Sequence, residues 1–331
     1  MARRSVTRFD QTAQLTELRA ADLTWSAVPV EVQRSALRRV DLAFQAFFRR
    51  CKSGETPGFP RFRSQRRYDS FSVGPAKVKK DRVHVPKLGH IKFNLHRPIE
   101  GTIKNTILKR DAAGKWWITF QCDLGEAPPK VLIRTTVGID VGLTSLATLS
   151  TGVSIHNPRY FEAGQELLKK RQRDLARKKK GSKNRERARV LVAKAHAHVH
   201  HQRLNHAREE AKKLVEQFDL ISFEDLNIKG LASGMLAKSV HDASWGLFRH
   251  AVACKAECAG KTIGSVDPRG TSQRCSRCGA LVRKTLADRV HRCPHCELVL
   301  DRDHNAAINI DALGRSALEP KLFFGEEREV S

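Results

Sequence analysis

The chain has 331 residues, a length that favours two or three domains over a single hydrophobic core. It carries 61 lysines and arginines against 35 aspartates and glutamates, and this net charge of +26 resists compaction unless a polyanion neutralises it. Nucleic acid is therefore the favoured partner, bound in a salt-dependent way. The sequence contains no apolar run long enough to cross a bilayer and no secretory signal. We expect a cytoplasmic protein without a membrane partner, and no protein partner is indicated.

The amino-terminal part is predicted to be helical. Apolar side chains recur at helical spacing from Leu37 to Phe47, with arginines between them. This pattern predicts an amphipathic helix with a basic outer face over residues 29–50. A loop rich in glycine and proline follows, so we assign residues 1–54 to a helical segment.

Short runs of alternating polar and apolar residues come next, between residues 68 and 122, and predict strands joined by turns. We interpret residues 55–130 as a small β-barrel-like domain. At least one of Trp116 and Trp117 is expected to lie in its core, because large aromatic rings are usually well buried.

A run of basic and aromatic residues, PRFRSQRRYDSF, opens this β domain. Such interleaving suits phosphate contacts beside base stacking. The alternative is that the rings belong to the core and the arginines are solvated. The side chains that we assign to nucleic-acid binding in this run are Arg61, Arg63, Arg66 and Arg67.

The third region, residues 131–331, alternates strands and helices. Its predicted order is three strands, a helical hairpin, a strand, a helix, a strand, a cysteine-rich insert and a final helix, which is the order of a ribonuclease H-like α/β domain. The hairpin, over residues 163–217, turns at a GSKN sequence where the charge is almost entirely positive. This charge indicates either a solvated helix face or a surface for nucleic acid. We assign nucleic-acid binding to Lys178, Lys179, Lys180 and Arg185.

The insert contains two CxxC pairs. Cys275 and Cys278 form the first, and after fourteen residues Cys293 and Cys296 form the second. In a reducing compartment this spacing predicts a metal site rather than disulfides. Four thiolates fill the tetrahedral shell of Zn²⁺ and leave no position for water, so the zinc should be structural.

Other histidines and cysteines nearby are not assigned as ligands. His291 and His295 are expected beside the zinc site or at the surface. Cys254 and Cys258 lie four residues apart on a predicted helix and are expected to pack in the core.

Three acidic residues stand at the ends of predicted elements. Asp140 and Glu224 each end an apolar strand, and Asp303 begins the last helix. In a ribonuclease H-like topology the first and fourth strands are neighbours and the last helix begins beside them, so these carboxylates should converge. Converged carboxylates repel one another unless a divalent cation neutralises them, and hard oxygen ligands suit Mg²⁺ or Mn²⁺. Two such ions would activate a water and stabilise the leaving oxygen in phosphodiester hydrolysis.

Four phrases of this region, in this order, resemble the motifs of the TnpB family of transposon-encoded proteins. They are GIDVGL, FEDLNIKGL, DPRGTSQRCSRCG and LDRDHNAAINI. The resemblance covers roughly residues 131–313, and the earlier PGFPRF and DSF phrases are similar to the family more loosely.

The resemblance implies an RNA-guided DNA endonuclease. Its partners would be a guide RNA and a target DNA that pairs with the guide beside a short adjacent motif. The catalytic carboxylates implied are Asp140, Glu224 and Asp303, with Asp225 and Asp301 as neighbours rather than ligands.

The resemblance also implies a domain order: a helical recognition segment, a β-barrel-like (wedge) domain, and a RuvC-like nuclease domain over residues 131–331 with a zinc ribbon at about residues 270–300. Family members usually begin with a strand and helix of the RLYPT type, so we expect this chain to be shortened at its amino terminus.

One alternative is a truncated RNA-guided or plain DNA-binding protein of a mobile element that does not cut. Another is a junction or flap nuclease that uses no guide, which the zinc ribbon and the family phrases disfavour.

Overall fold

The computed structural model describes residues 6–64, 67–231, 233–234, 237–285 and 287–318, so that Arg66 lies outside the described residues. The chain divides into two compact units, Met1–Glu126 and Ala127–Ser331. Within the described ranges, no helix combines the length and the apolar character that a bilayer crossing requires.

The first unit begins with three helices, of which the third confirms the amphipathic helix predicted for residues 29–50. A capping box between Thr7 and Asp10 starts the first helix. No residue of the third helix is fully buried, and its Phe44 and Phe47 instead make edge contacts with Phe59, at ring-centroid distances of 5.8 and 5.4 Å. The helices are α1 (Arg8–Ala21), α2 (Leu23–Ala27) and α3 (Val30–Lys52).

Six strands follow in this unit and form two antiparallel sheets, ordered β1-β5-β6 and β2-β3-β4. The strands are β1 (Ser70–Ser72), β2 (Lys77–Lys79), β3 (Arg82–Val85), β4 (Gly89–Lys92), β5 (Thr102–Arg110) and β6 (Trp116–Asp123). Val83, Val85 and Leu108 lie in the small core that they share. The domain predicted to be barrel-like is not a closed barrel: within the described residues no hydrogen-bonded ladder joins the two sheets, and a closed barrel requires a continuous one.

The prediction of a buried tryptophan is wrong. Trp116 and Trp117 are 56% and 36% exposed at the hairpin end of β6, which is an edge strand. The Trp117 indole N–H donates to Asp111 at 2.8 Å, and the Lys115 ammonium lies 4.4 Å from the Trp117 ring centroid. A polar and a cationic group therefore contact this ring.

The second unit contains a five-stranded sheet with the order β11-β10-β7-β8-β9. Its strands are β7 (Thr136–Val141), β8 (Ser145–Leu149), β9 (Ser154–His156), β10 (Leu220–Glu224) and β11 (Thr262–Val266). β10 runs parallel to both β7 and β11, whereas β8 and β9 extend the sheet antiparallel. The neighbouring first and fourth strands of the sequence analysis are thus β7 and β10.

The helices of this unit include the predicted hairpin, formed by α4 and α5. Ser182 caps α5 by accepting the N–H of Arg185 at 3.1 Å, which explains the break at the GSKN sequence. The remaining elements are α4 (Tyr160–Ala176), α5 (Lys183–Gln217), α6 (Ile228–Leu231), α7 (Ala237–Ala243), α8 (Trp245–Cys258), β12 (Val290–Arg292), β13 (Val299–Asp301) and α9 (Arg302–Ser316).

The two faces of the central strands carry side chains of different size. Val137, Ile139, Ile221 and Phe223 point into the main core, which α5 and α8 complete. On the opposite face Gly138, Ser222 and Gly264 form a row of register partners. A Cβ at Gly138 would collide with the Ala307 carbonyl and the Asp311 backbone, so only glycine allows α9 to pack this closely. This close packing fixes the position of α9 on the sheet.

Candidate functional site

Two loops of the insert bring the four predicted cysteines together. The Sγ atoms of Cys275, Cys278, Cys293 and Cys296 all lie within 4.8 Å of one another and could hold a metal ion such as zinc. Cys275 and Cys296 are 3.6 Å apart, and Cys278 and Cys293 are 3.5 Å apart. The two CxxC loops have similar hydrogen bonds, since the N–H of Cys275 donates to Ala280 and that of Cys293 to Leu298.

The electrostatics divide this cluster into two pairs. Burial raises the pKa of the Cys275 thiol, but hydrogen bonds from the neighbouring backbone and side chains together lower that pKa to about 7, and the same holds for Cys293. Burial and the neighbouring thiols instead raise the pKa of the other two cysteines. Because the thiolate is the form that binds a metal, Cys275 and Cys293 are the readier ligands near neutral pH. His291 is fully buried beside Cys275, whereas His295 is exposed.

The three predicted carboxylates stand on different elements. Asp140 is near the carboxyl end of β7, Glu224 is the last residue of β10, and Asp303 lies in the first turn of α9. Parallel pairing of β7 and β10 puts the first two at the same sheet edge, and the packing of α9 brings the third to them. Burial raises the pKa of Asp140 to about 8, with Glu224 and Asp303 adding to the rise. The Asp140 side chain is thus close enough to those of Glu224 and Asp303 to be repelled by both.

These carboxylates are less compact than the cysteines. Among the described residues, the cysteine cluster is the one group of three or more potential ligands that lie close enough together to hold a metal ion. Asp303 is paired with Arg302, whose Nε and Nη2 lie 3.0 and 2.9 Å from Asp303 Oδ1. Glu224 accepts a hydrogen bond from the hydroxyl of Thr271, and burial raises its pKa.

The two neighbouring aspartates have other contacts. Asp301 is the N-cap of α9, where its Oδ1 accepts the N–H groups of Asp303 and His304 at 2.9 and 3.0 Å. Asp225 is largely exposed and pairs with Arg249 at 3.4 Å. Asp301 therefore helps to position Asp303, and Asp225 lies at the surface.

The predicted nucleic-acid-binding residues lie in both units. In the first unit Arg61, Arg63 and Arg67 are exposed, and Phe62 between them is 99% exposed. In the second unit Lys178, Lys179 and Lys180 are exposed between α4 and α5. Arg185 differs from these three lysines, because its guanidinium donates to the carbonyls of Leu175 and Lys178 at 3.0 and 2.9 Å. Arg185 thus stabilises the turn of the hairpin.

Cys254 and Cys258 are exposed on α8, so the prediction that they pack in the core is wrong. The core face of α8 is formed instead by Trp245, Phe248 and Val252. Both cysteines lie on the other side of this helix.

Comparisons with known proteins agree with the sequence motifs. The profile of the family described as probable transposase (OrfB_IS605) matches residues 119–234, and the profile of the Cas12f1-like TNB domain matches residues 245–310. A protein of Streptomyces pristinaespiralis named "putative RNA-guided DNA endonuclease" is 32% identical over 298 residues, which are 88% of this chain and 72% of that protein. The chain belongs to the TnpB family. The resemblance inferred from its motifs is thereby confirmed.

Other relatives are more distant. The Escherichia coli protein named "putative RNA-guided DNA endonuclease InsQ" is 28% identical over 88% of this chain and 76% of its own length. A Cas12f1 chain, solved by cryo-EM with guide RNA and target DNA, matches with a TM-score of 0.53 over 84% of this chain and 70% of its own. Because its identity is 17%, this likeness shows that the TnpB-family chain shares its fold.

Several polar residues around the carboxylates were not identified from the sequence. Thr271 contacts Glu224, Arg302 contacts Asp303, and Arg249 donates to the backbone carbonyl of Glu224 at 3.1 Å. Thr271 and Arg302 lie inside the quoted TnpB-family phrases, but no spacing rule relates them to a carboxylate. Arg249 lies outside these phrases, and no sequence pattern indicated its contact with Glu224.

We predict that the purified protein contains one zinc ion per chain, because four thiolates complete its coordination shell. Cys293→Ser should lower the zinc content below half an equivalent, since one of the four ligands is lost. Cys254→Ser, which changes an exposed cysteine outside the cluster, is the matched control and should retain the zinc. Metal analysis with all thiols reduced measures both, and a parent protein with less than half an equivalent would contradict the assignment.

The raised pKa of Asp140 predicts a pH-dependent stability. Between about pH 4 and pH 8 the unfolded chain ionises Asp140 while the folded chain keeps it protonated. The free energy of unfolding therefore falls as the pH rises through this range. Asp140→Asn stays neutral and should therefore exceed the parent by about 2–5 kcal/mol at pH 8, and by little at pH 4.

Urea unfolding of the zinc-loaded protein, without added Mg²⁺ or Mn²⁺, checks this difference. Asp225→Asn changes an exposed aspartate next to Glu224 and should show no comparable gain at pH 8. Equal stabilities of the parent and Asp140→Asn across this pH range would show that Asp140 titrates normally.

Proposed function

We propose that this TnpB-family chain is an RNA-guided DNA endonuclease of a transposable element. The observation that carries the proposal is the approach of Asp140, Glu224 and Asp303 at one edge of the sheet, where burial and mutual repulsion raise the pKa of Asp140. The names of its relatives and the fold shared with Cas12f1 support the guided, DNA-cleaving character of the reaction.

The proposed chemistry is hydrolysis of phosphodiester bonds with two divalent metal ions. The three carboxylates supply hard oxygen ligands, and Arg302 pairs with Asp303. Such a donor set fits Mg²⁺ or Mn²⁺. Bound ions would activate the attacking water and stabilise the leaving oxygen. The cysteine cluster has no open position in a tetrahedral shell, so its zinc would be structural.

The proposed domain assignment follows the family order. Residues 1–54 form the recognition segment, residues 55–130 the nucleic-acid-binding β domain, and residues 131–331 the RuvC-like nuclease domain with the zinc ribbon at about residues 270–300. Base pairing with a guide RNA would select the target DNA, while the protein contacts the backbone of both through its net charge of +26.

We predict that Asp140→Ala, Glu224→Ala and Asp303→Ala each abolish DNA cleavage, because each removes a ligand of the metal ions. Binding of guide RNA and target DNA should survive, since loss of a negative charge favours contact with a polyanion. Asp225→Ala is the matched control: it removes an exposed aspartate beside Glu224 and should cleave at the parental rate. Asp301→Ala should fall between these variants, because Asp301 caps the helix that carries Asp303.

Cleavage of a plasmid bearing the guide-matched sequence and its adjacent motif, in Mg²⁺ and with copurified RNA, measures these effects. An Asp140→Ala protein that cuts as fast as the parent would refute the active-site assignment. If the parent binds RNA and matched DNA but does not cut, the chain is a binding protein of the mobile element instead.

We also predict that the lysines of the α4–α5 turn contact nucleic acid. Reversing Lys178, Lys179 and Lys180 to glutamate should flatten the slope of log affinity against log salt by about 2 units. Fewer phosphate contacts form in the variant, so fewer counterions are released when it binds. Arg185 is left unchanged because it stabilises the turn.

The control for this measurement reverses Lys212 and Lys213, which are paired with glutamates towards the other end of α5. Filter binding or fluorescence anisotropy with guide RNA, at salt concentrations between about 50 and 300 mM, measures both slopes. An equal slope for the parent and the triple variant would identify the turn as a solvated face.

A further inference from the structure

Thr271 lies where the chain passes from the sheet to the cysteine cluster. It follows β11 and precedes Cys275 by four residues. Its side chain is buried, with 3% of the residue exposed, and its hydroxyl donates to Oε1 of Glu224. The carbonyl of Pro268 is a second acceptor for the same hydroxyl, at 3.1 Å. A small neutral side chain thus contacts one carboxylate oxygen of the proposed metal site.

The backbone around Thr271 is held by two asparagines of α9. The Nδ2 of Asn309 donates to the carbonyls of Thr271 and Arg274 at 2.8 and 2.7 Å. Asn305 donates to the carbonyl of Arg274 at 2.8 Å and accepts the N–H of Ser276 at 3.0 Å. Both asparagines are buried, so water does not compete for these hydrogen bonds.

The helix α9 therefore positions both Asp303 and the segment that carries Thr271. Asp303 lies in the first turn of α9, and Asn305 and Asn309 follow on the same helix. Through these asparagines α9 fixes the segment from Thr271 to Ser276, which includes Cys275, the first residue of the first CxxC pair. The contact with Glu224 is the far end of this chain of hydrogen bonds.

We propose that Thr271 is a positioning residue that orients the Glu224 carboxylate for its metal ion, and that Asn309 acts on Glu224 through Thr271. The proposal rests on the proposed function in taking Glu224 as a metal ligand. Donation to Oε1 would restrict the rotation of the Glu224 carboxylate and leave its other lone pairs available to a metal ion. Hydrogen-bond partners of metal ligands typically change metal affinity about 10- to 100-fold when they are removed.

The test is Mn²⁺ binding to the zinc-loaded full chain, followed by the electron paramagnetic resonance signal of free Mn²⁺. Asp140→Ala defines the Mn²⁺ that binds elsewhere and is subtracted. Thr271→Val keeps the shape and removes the donor, so it should weaken site-specific Mn²⁺ binding at least about tenfold. Thr271→Ser keeps the hydroxyl and should stay within about threefold of the parent, a rescue that a purely structural role would not give.

Thr136→Val is the matched control. Thr136 lies on β7, and its hydroxyl donates to the buried Asp311 of α9 at 3.2 Å. This variant removes a threonine–carboxylate hydrogen bond in the same unit but away from the site, so it should leave Mn²⁺ binding unchanged. If Thr271→Val does not fold, Thr271→Ala against Thr271→Ser gives the same comparison in smaller side chains.

Asn309→Ala tests the second step. It should also weaken Mn²⁺ binding, and the double variant with Thr271→Val should be no weaker than Thr271→Val alone, because the two act in series. Mn²⁺ affinity of Thr271→Val equal to that of the parent would overturn the role of Thr271. Additive losses in the double variant would overturn the connection through Asn309.

Cleavage of guide-matched DNA separates this inference from the proposed function. In single-turnover assays, Thr271→Val should require at least about tenfold more Mg²⁺ than the parent for half-maximal rate, with binding of RNA and DNA unchanged. If the parent binds Mn²⁺ and does not cut DNA, the proposed function fails while the Mn²⁺ measurements still decide the role of Thr271. If the parent binds no more Mn²⁺ than Asp140→Ala, both fail.

Discussion

The close packing of α9 against the central strands is the constraint on which the candidate site depends. The row of Gly138, Ser222 and Gly264 leaves no large side chain between the helix and the sheet. A methyl group on Gly138 would meet the backbone of α9, and one on Gly314 would meet the Ser222 side chain. Dense interiors transmit such overlaps as shifts of whole elements. The position of Asp303 relative to Asp140 thus depends on small residues that lie outside the proposed metal site.

The site gathers three carboxyl groups within a strongly basic protein. Burial and the neighbouring acids raise the pKa of Asp140 to about 8, so these residues are arranged at a cost to stability. The structure offsets this cost only in part, by pairing Asp303 with Arg302 and Glu224 with the hydroxyl of Thr271. Buried acidic groups whose pKa is strongly shifted are concentrated at functional sites in proteins. The exposed lysines at the α4–α5 turn give the surface the opposite charge, which suits the approach of a polyanion.

Some features could be predicted from local patterns because local geometry determines them. The spacing of Cys275, Cys278, Cys293 and Cys296 was sufficient to indicate one cluster, since each CxxC loop folds on its own hydrogen bonds. The strand order around β7 and β10 followed from the sequence of elements, because parallel strands joined by helices have few allowed arrangements. The strand-end carboxylates followed from that order.

Other features depend on contacts that no pattern encodes. Alternation identified the strands of the first unit, but whether two sheets close into a barrel depends on pairing between distant strands. The exposure of Trp116 and Trp117 depends on which elements cover the end of β6.

The cysteine-rich insert has a structural consequence that composition and spacing do not suggest. Its entry strand β11 pairs with β10 so that Val266 stands opposite Glu224, and its exit leads through β13 directly into α9. Both ends of the insert therefore flank the three carboxylates. From α9, Asn305 and Asn309 bind the segment from Thr271 to Ser276, so a change in the first CxxC loop would alter the contacts of that helix. A metal-stabilised insert at this point would act as a brace for the site rather than as a separate module, because the same hydrogen bonds that hold its first loop also position Thr271 beside Glu224.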